Sequence, residues 1–126
     1  MGPQVPAHIL IIDDATVVRL YYRQLLETAG YTVEEAINGI EGLEKVLRTP
    51  FDLCIVDVNM PLMDGYAFLT ALRREPVTKA MKAIVTTTEA RAADRQAALE
   101  AGADAYLIKP VAQDEFAASV AALLSR

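Results

Sequence analysis

The chain has 126 residues, a length that sets one domain with a substantial buried core. Hydrophobic residues make up 53% and charged residues 23% of it, the balance of a globular fold rather than a disordered or fibrous one. A net charge of −5 disfavours contact with nucleic-acid backbones, and no apolar run approaches the ~18 residues of a membrane span.

Residues 1–7, MGPQVPA, lack the charged and apolar regions of a secretory leader, and a cytosolic protein is expected. They read as a loose N-terminal arm before one domain at 8–126, which leaves no room in the chain for a second folded unit such as a DNA-binding output domain. Ile9 to Ile12 is a short continuous apolar run, as expected of a parallel strand covered on both faces. It ends in Asp13 and Asp14. Thr16 suits the N-cap of a first helix with an apolar stripe Val18, Tyr21, Leu25, Ala29, closed by Gly30. Tyr31 to Ala36 mixes Val33 with Glu34 and Glu35, which places it at a sheet edge. Ile40, Leu43 and Leu47 give a second helical stripe.

Leu53 to Val56 is the next apolar run and ends in Asp57. It contains Cys54, the sole cysteine, which reads as a small buried hydrophobe. Phe68, Leu69 and Leu72 form the third stripe. Ala83 to Val85 ends in Thr86, Thr87 and Thr88, and a fourth helix stops at Gly102. Tyr106 to Ile108 ends in Lys109-Pro110, and Phe116, Val120, Leu123 and Leu124 close the chain. That last helix starts near Ala112, a poor cap, with Asp114 and Glu115 favouring its first turn through the helix dipole. Five strand-then-helix repeats with right-handed crossovers predict a three-layer α/β domain on a parallel sheet.

In such a fold functional residues gather at the C-terminal ends of the strands. Here those ends carry Asp13, Asp14, Asp57, Thr87 and Lys109. Two carboxylates ~5 Å apart repel by roughly 3 kcal/mol at an effective dielectric near 20. The cluster therefore calls for a cation, and an all-oxygen donor set suits Mg²⁺. With Lys109 the charges then sum to about zero. A carboxylate neutralised in this way is a competent nucleophile toward phosphorus. Each residue alone is ordinary: Asp-Asp is often a turn, Thr87 a strand former, Lys109 a surface charge. Their joint placement on four strand ends carries the reading. Strand one runs into Asp13-Asp14-Ala15-Thr16 without a glycine, which argues against a phosphate-cradling nucleotide loop.

The segments IIDD (Ile11 to Asp14), VDVNMPLMDG (Val56 to Gly65), TTEA (Thr87 to Ala90), EAGADAY (Glu100 to Tyr106) and KP (Lys109, Pro110) resemble the receiver domains of two-component response regulators. The likeness covers nearly the whole chain after residue 7 and is closest to the stand-alone, CheY-like kind. It implies a flavodoxin-like (βα)5 fold with strand order 2-1-3-4-5. It implies Asp57 as phosphoacceptor, and Mg²⁺ held by Asp14, Asp57 and the backbone carbonyl of Asn59, with Asp13 acting through water. Thr87 and Tyr106 would be the switch residues, Lys109 the partner of the phosphoryl group, and Lys109-Pro110 a cis peptide. Pro61 and Gly65 would shape the loop after the acceptor. Asn59 and Glu89 flank the site as in CheY-like domains, whereas Thr88 departs from the small residue common there and would narrow access to Asp57.

The implied function is a signalling switch rather than an enzyme acting on external substrates. Upstream stands a histidine kinase or phosphotransfer protein. Downstream stands a protein met through the fourth helix, fifth strand and fifth helix. Two alternatives differ in kind. A phosphatase of the haloacid-dehalogenase type would want a second Asp where Asn59 stands, and a cap domain. A pseudo-receiver would bind partners without phosphorylation, and the complete acidic set counts against it. A phosphorelay shuttle is a further version of the first reading.

Overall fold

The computed structural model describes residues 5–125. Five strands alternate with five helices: β1 (His8–Ile12), α1 (Thr16–Thr28), β2 (Thr32–Ala36), α2 (Gly39–Arg48), β3 (Leu53–Asp57), α3 (Gly65–Arg74), β4 (Lys82–Thr87), α4 (Ala92–Ala101), β5 (Ala105–Ile108) and α5 (Gln113–Leu124). All pairings are parallel and the order is β2-β1-β3-β4-β5, the flavodoxin-like arrangement expected. β2 lies at the edge, with Glu34 and Glu35 only half-buried. Residues 1–4 of the expected arm lie outside the described residues. Within the rest, the Ala7 carbonyl accepts the Thr32 N–H at 3.0 Å, which extends the β1–β2 pairing by one step.

Alternation along each strand splits the core into two layers. Leu10, Ile12, Cys54, Val56, Ala83, Val85 and Tyr106 face α2, α3 and α4. Ile9, Ile11, Leu53, Ile55, Ile84 and Leu107 face α1 and α5, where Tyr22 stacks on Phe116 with centroids 4.8 Å apart. Cys54 is fully buried, and burial pushes its thiol up to about 12, so it is an inert hydrophobe.

The α3 and α5 stripes are as the periodicity predicts, but two others are shifted. On α1 the buried residues are Tyr22 and Leu26, with Val18 and Leu25 beside them, while Tyr21 and Ala29 are exposed. On α2, Ile40 and Leu47 are exposed, and the buried residues are Gly39, Gly42 and Val46 with Leu43 half-buried. The reason is a close approach: a Cβ on Gly42 would stand 2.7 Å from Ile12 Cδ1. Gly42 faces the sheet because nothing larger fits there, whereas Gly39 is pressed against Met63, whose carbonyl oxygen would stand 2.5 Å from a Cβ. Nor is Thr16 the cap of α1. The cap position is Ala15, and the Asp13 carboxylate upstream accepts the Ala15 N–H at 2.9 Å. α5 does begin after Ala112 with no side-chain cap.

Gly102 ends α4 in the left-handed region, φ +119°. Arg73 at the end of α3 reaches across to it. Its guanidinium donates to the Gly102 carbonyl, to the carbonyls of Lys79 and Met81, and to Asp104. These bonds fasten the C-terminal end of α4 to α3 and to the start of β4.

Candidate functional site

The C-terminal ends of β1, β3, β4 and β5 deliver their residues to the same edge of the sheet. Asp13 follows β1 and is buried at 1% exposure. Asp57 closes β3 at 5%, while Asp14 is exposed. One carboxylate oxygen from each of the three lies within 4.8 Å of the others. Lys109, after β5, sets its ammonium between two of them, at 2.8 Å from Asp13 Oδ2 and 3.1 Å from Asp57 Oδ1. Lys109-Pro110 is cis. Gly65 brings the loop after Asp57 against β3 so tightly that a Cβ there would lie 2.6 Å from the Asp57 carbonyl oxygen.

The charges act on one another. Burial, and then the Asp13 charge, raise Asp57 above its ordinary value, against the pull of Lys109 and the Asn59 backbone N–H. Burial works to lower Lys109, but its bonds to Asp13 and the two carboxylate charges outweigh that and raise it. The lysine is thus a firm cation, and one ammonium faces three carboxylates. An all-oxygen cluster with that surplus of negative charge fits a hard divalent cation.

Thr87 is fully buried at the end of β4, and its Oγ1 accepts the Glu89 N–H at 3.1 Å. Tyr106 is already turned inward, at 8% exposure, with its hydroxyl donating to the Glu89 carbonyl at 2.6 Å. The Glu89 residue is therefore held at both ends, by Thr87 and by Tyr106. Asn59 and Thr88 are exposed, and Thr88 faces a cleft between α1 and Pro110.

Sequence reasoning passed over three residues here. Arg19 on α1 donates to the Asp13 carbonyl at 2.8 Å and to Glu35 at 2.8 Å. Tyr22 on α1 lines the same cleft as Lys109 and is masked in the sequence by its neighbour Tyr21. Thr86 is the register partner of Asp57 on β4. Strand alternation offered a signal for Thr86: it puts Thr86 and Thr87 on opposite faces, so only one of them can sit beside Tyr106.

The response regulator receiver domain family matches residues 9–121. The chain is a response regulator receiver domain. Receivers are signalling modules of two-component systems, and they partner with histidine kinases. This one is 38% identical over 118 residues to the transcriptional regulatory protein PrrA of Mycobacterium leprae, covering 94% of this chain and 50% of PrrA. The chain thus spans about half the length of that curated relative. The chemotaxis protein CheY4 of Vibrio cholerae superposes with a TM-score of 0.90 at 33% identity, over 94% of this chain and 99% of CheY4. The receiver domain of the sensor histidine kinase PA1611 from Pseudomonas aeruginosa has a TM-score of 0.89 at 25% identity, over 97% and 100% of the two chains. That structure has a magnesium ion coordinated in its active-site cleft. No helix among the described residues of this receiver is long and apolar enough to cross a membrane.

Proposed function

We propose that this receiver accepts a phosphoryl group on Asp57 from a histidine kinase or a histidine phosphotransfer protein. The observation that carries the reading is the Lys109 ammonium shared between Asp13 and Asp57 beside a third carboxylate. Asp14, Asp57 and the backbone carbonyl of Asn59 would hold Mg²⁺, with Asp13 binding it through water. When bound, the ion offsets charge on the carboxylates and on the transferring phosphoryl oxygens.

Asp57 Oδ forms the new bond to phosphorus as the donor's phosphorus–nitrogen bond breaks, and the imidazole leaves with its electron pair and takes a proton. Lys109 exchanges its bond to Asp57 Oδ1 for one to a phosphoryl oxygen, offsetting charge where it develops. The Thr87 hydroxyl accepts from Glu89 and still has its own proton to donate. Turning that proton to the phosphoryl group frees the Glu89 N–H, while Tyr106 keeps hold of the Glu89 carbonyl. The loop before α4 then rearranges, and the surface of α4, β5 and α5 changes for a downstream protein. A cytosolic setting, no direct nucleic-acid contact and a domain spanning 8–126 belong to the same reading.

Incubation with acetyl phosphate and Mg²⁺ is expected to add one phosphoryl mass, and Asp57→Asn to abolish it. Full labelling of that variant would overturn the assignment. Thr87→Ala is expected to accept the label yet lose the amide-shift response around Tyr106 when BeF₃⁻ binds.

A further inference from the structure

Lys109 offers three N–H donors, and two are taken by Asp13 and Asp57. Its four-carbon stem is flexible, so the position of the ammonium depends on what flanks the stem. On one side lies a mostly apolar cleft of about 370 Å³, bounded by Val17, Val18, Pro110 and Val111. Tyr22 lines the same cleft next to Lys109. This ring is 2% exposed and fixed from behind by its stack on Phe116, 4.8 Å away and within 10° of parallel. Thr86, the register partner of Asp57 on β4, is fully buried, and its hydroxyl has no hydrogen-bond partner among the described residues. A tyrosine so immobilised, between the helix layer and the charged cluster, is more than core filling.

We propose that Tyr22 is a positioning residue for Lys109: its immobile ring forms one wall of the cleft that Lys109 also lines, limits the rotamers open to the lysine stem and so keeps the ammonium between Asp13 and Asp57. The inference rests on Asp57 being the phosphoacceptor. Without the ring, the stem gains rotamers that place the ammonium away from the phosphoryl oxygens. The three carboxylates stay in place and lose a competing cation, so Mg²⁺ affinity should not fall while phosphoryl transfer slows.

The test compares Tyr22→Phe, Tyr22→Leu and Lys109→Ala, with Tyr22→Met carried in parallel in case the leucine variant does not fold. Labelling rates with acetyl phosphate, Mg²⁺ affinity by calorimetry, and the Lys109 ε-methylene proton signals are read for each. Tyr22→Phe keeps the ring and is expected within about twofold of wild type by analogy with volume-conserving changes. Tyr22→Leu or Tyr22→Met is expected to slow labelling roughly tenfold, bind Mg²⁺ no more weakly than wild type, and merge the two ε-methylene signals as the stem becomes mobile. In a Lys109→Ala background the same change is expected to have no further effect, because its action runs through the lysine. An equal slowing in both backgrounds, a Phe variant as slow as the Leu variant, or parallel loss of Mg²⁺ affinity would overturn the inference alone. A wild-type chain that takes no label would overturn the functional reading and this inference with it.

Discussion

Burial and the Asp13 charge act on Asp57 in the same direction, and this makes its ionised form a cost to the metal-free fold. A carboxyl raised in the folded state favours folding below its unfolded pKa and loses that contribution as pH rises through the folded value. Asp57→Asn is therefore expected to raise the metal-free melting temperature at pH 7, with the gain vanishing in scans below about pH 4, the ordinary carboxylate range. Glu35 on the edge strand behaves in the opposite way. Burial works to raise it, but hydrogen bonds from Arg23 and Arg19 prevail and lower it. Its contribution is present above the unfolded pKa and is lost as pH falls through the folded one. Glu35→Gln is expected to cost about 0.5–1 kcal/mol in denaturant titrations at pH 7, a modest figure because solvent screens a partly exposed pair, and close to nothing at pH 3.

Two helix ends yield tests of the elements. Ala112 sits at the N-cap of α5 in extended backbone without a side-chain acceptor. Ala112→Ser is expected to stabilise the fold by about 1 kcal/mol in urea titrations. Gly102→Ala is expected to destabilise it by at least about 1 kcal/mol, since the backbone there is left-handed and the new Cβ would meet Arg73 Cγ at 2.7 Å. Such features show where the sequence was legible. The runs Ile9 to Ile12 and Leu53 to Val56 announce covered strands, and the charged residues that end them were found because a strand end is a fixed address. α1 and α2 were harder. Consecutive apolar residues such as Tyr21 and Tyr22 define two possible stripes, and periodicity does not say which one meets the sheet. On α2 a search for large apolar residues chose Ile40 and Leu47, whereas contact is made by Gly42, whose role is to be small. Tyr22 went unread because its meaning comes from packing between α1 and α5, which no local pattern encodes.

For the whole molecule, three carboxylates against one lysine link cation binding to stability. Mg²⁺ at 100 times its dissociation constant is expected to add about 2.7 kcal/mol to folding, read as a rise in melting temperature. Asp14→Ala should remove most of that rise; an unchanged shift would contradict its role as a ligand. The bonds from Arg73 have a mechanical consequence for the same domain. They clamp one end of α4, whereas its other end begins at Arg91 with no side-chain cap, and only Ala98 of the helix is fully buried. Ten residues at ~1.5 Å each make a rod about 15 Å long with a fulcrum at Gly102 and a more lightly held tip beside the Glu89 loop, where the Tyr66 hydroxyl donates to the Asp94 carbonyl at 3.5 Å. A fixed pivot turns a small shift at the tip into rotation rather than sliding, so displacement grades along the rod and is largest near Arg91. Amide-shift changes on BeF₃⁻ binding should follow that gradient. In Arg73→Lys, which keeps the charge but lacks the guanidinium's fork of donors, they should level out along α4 as the pivot slips.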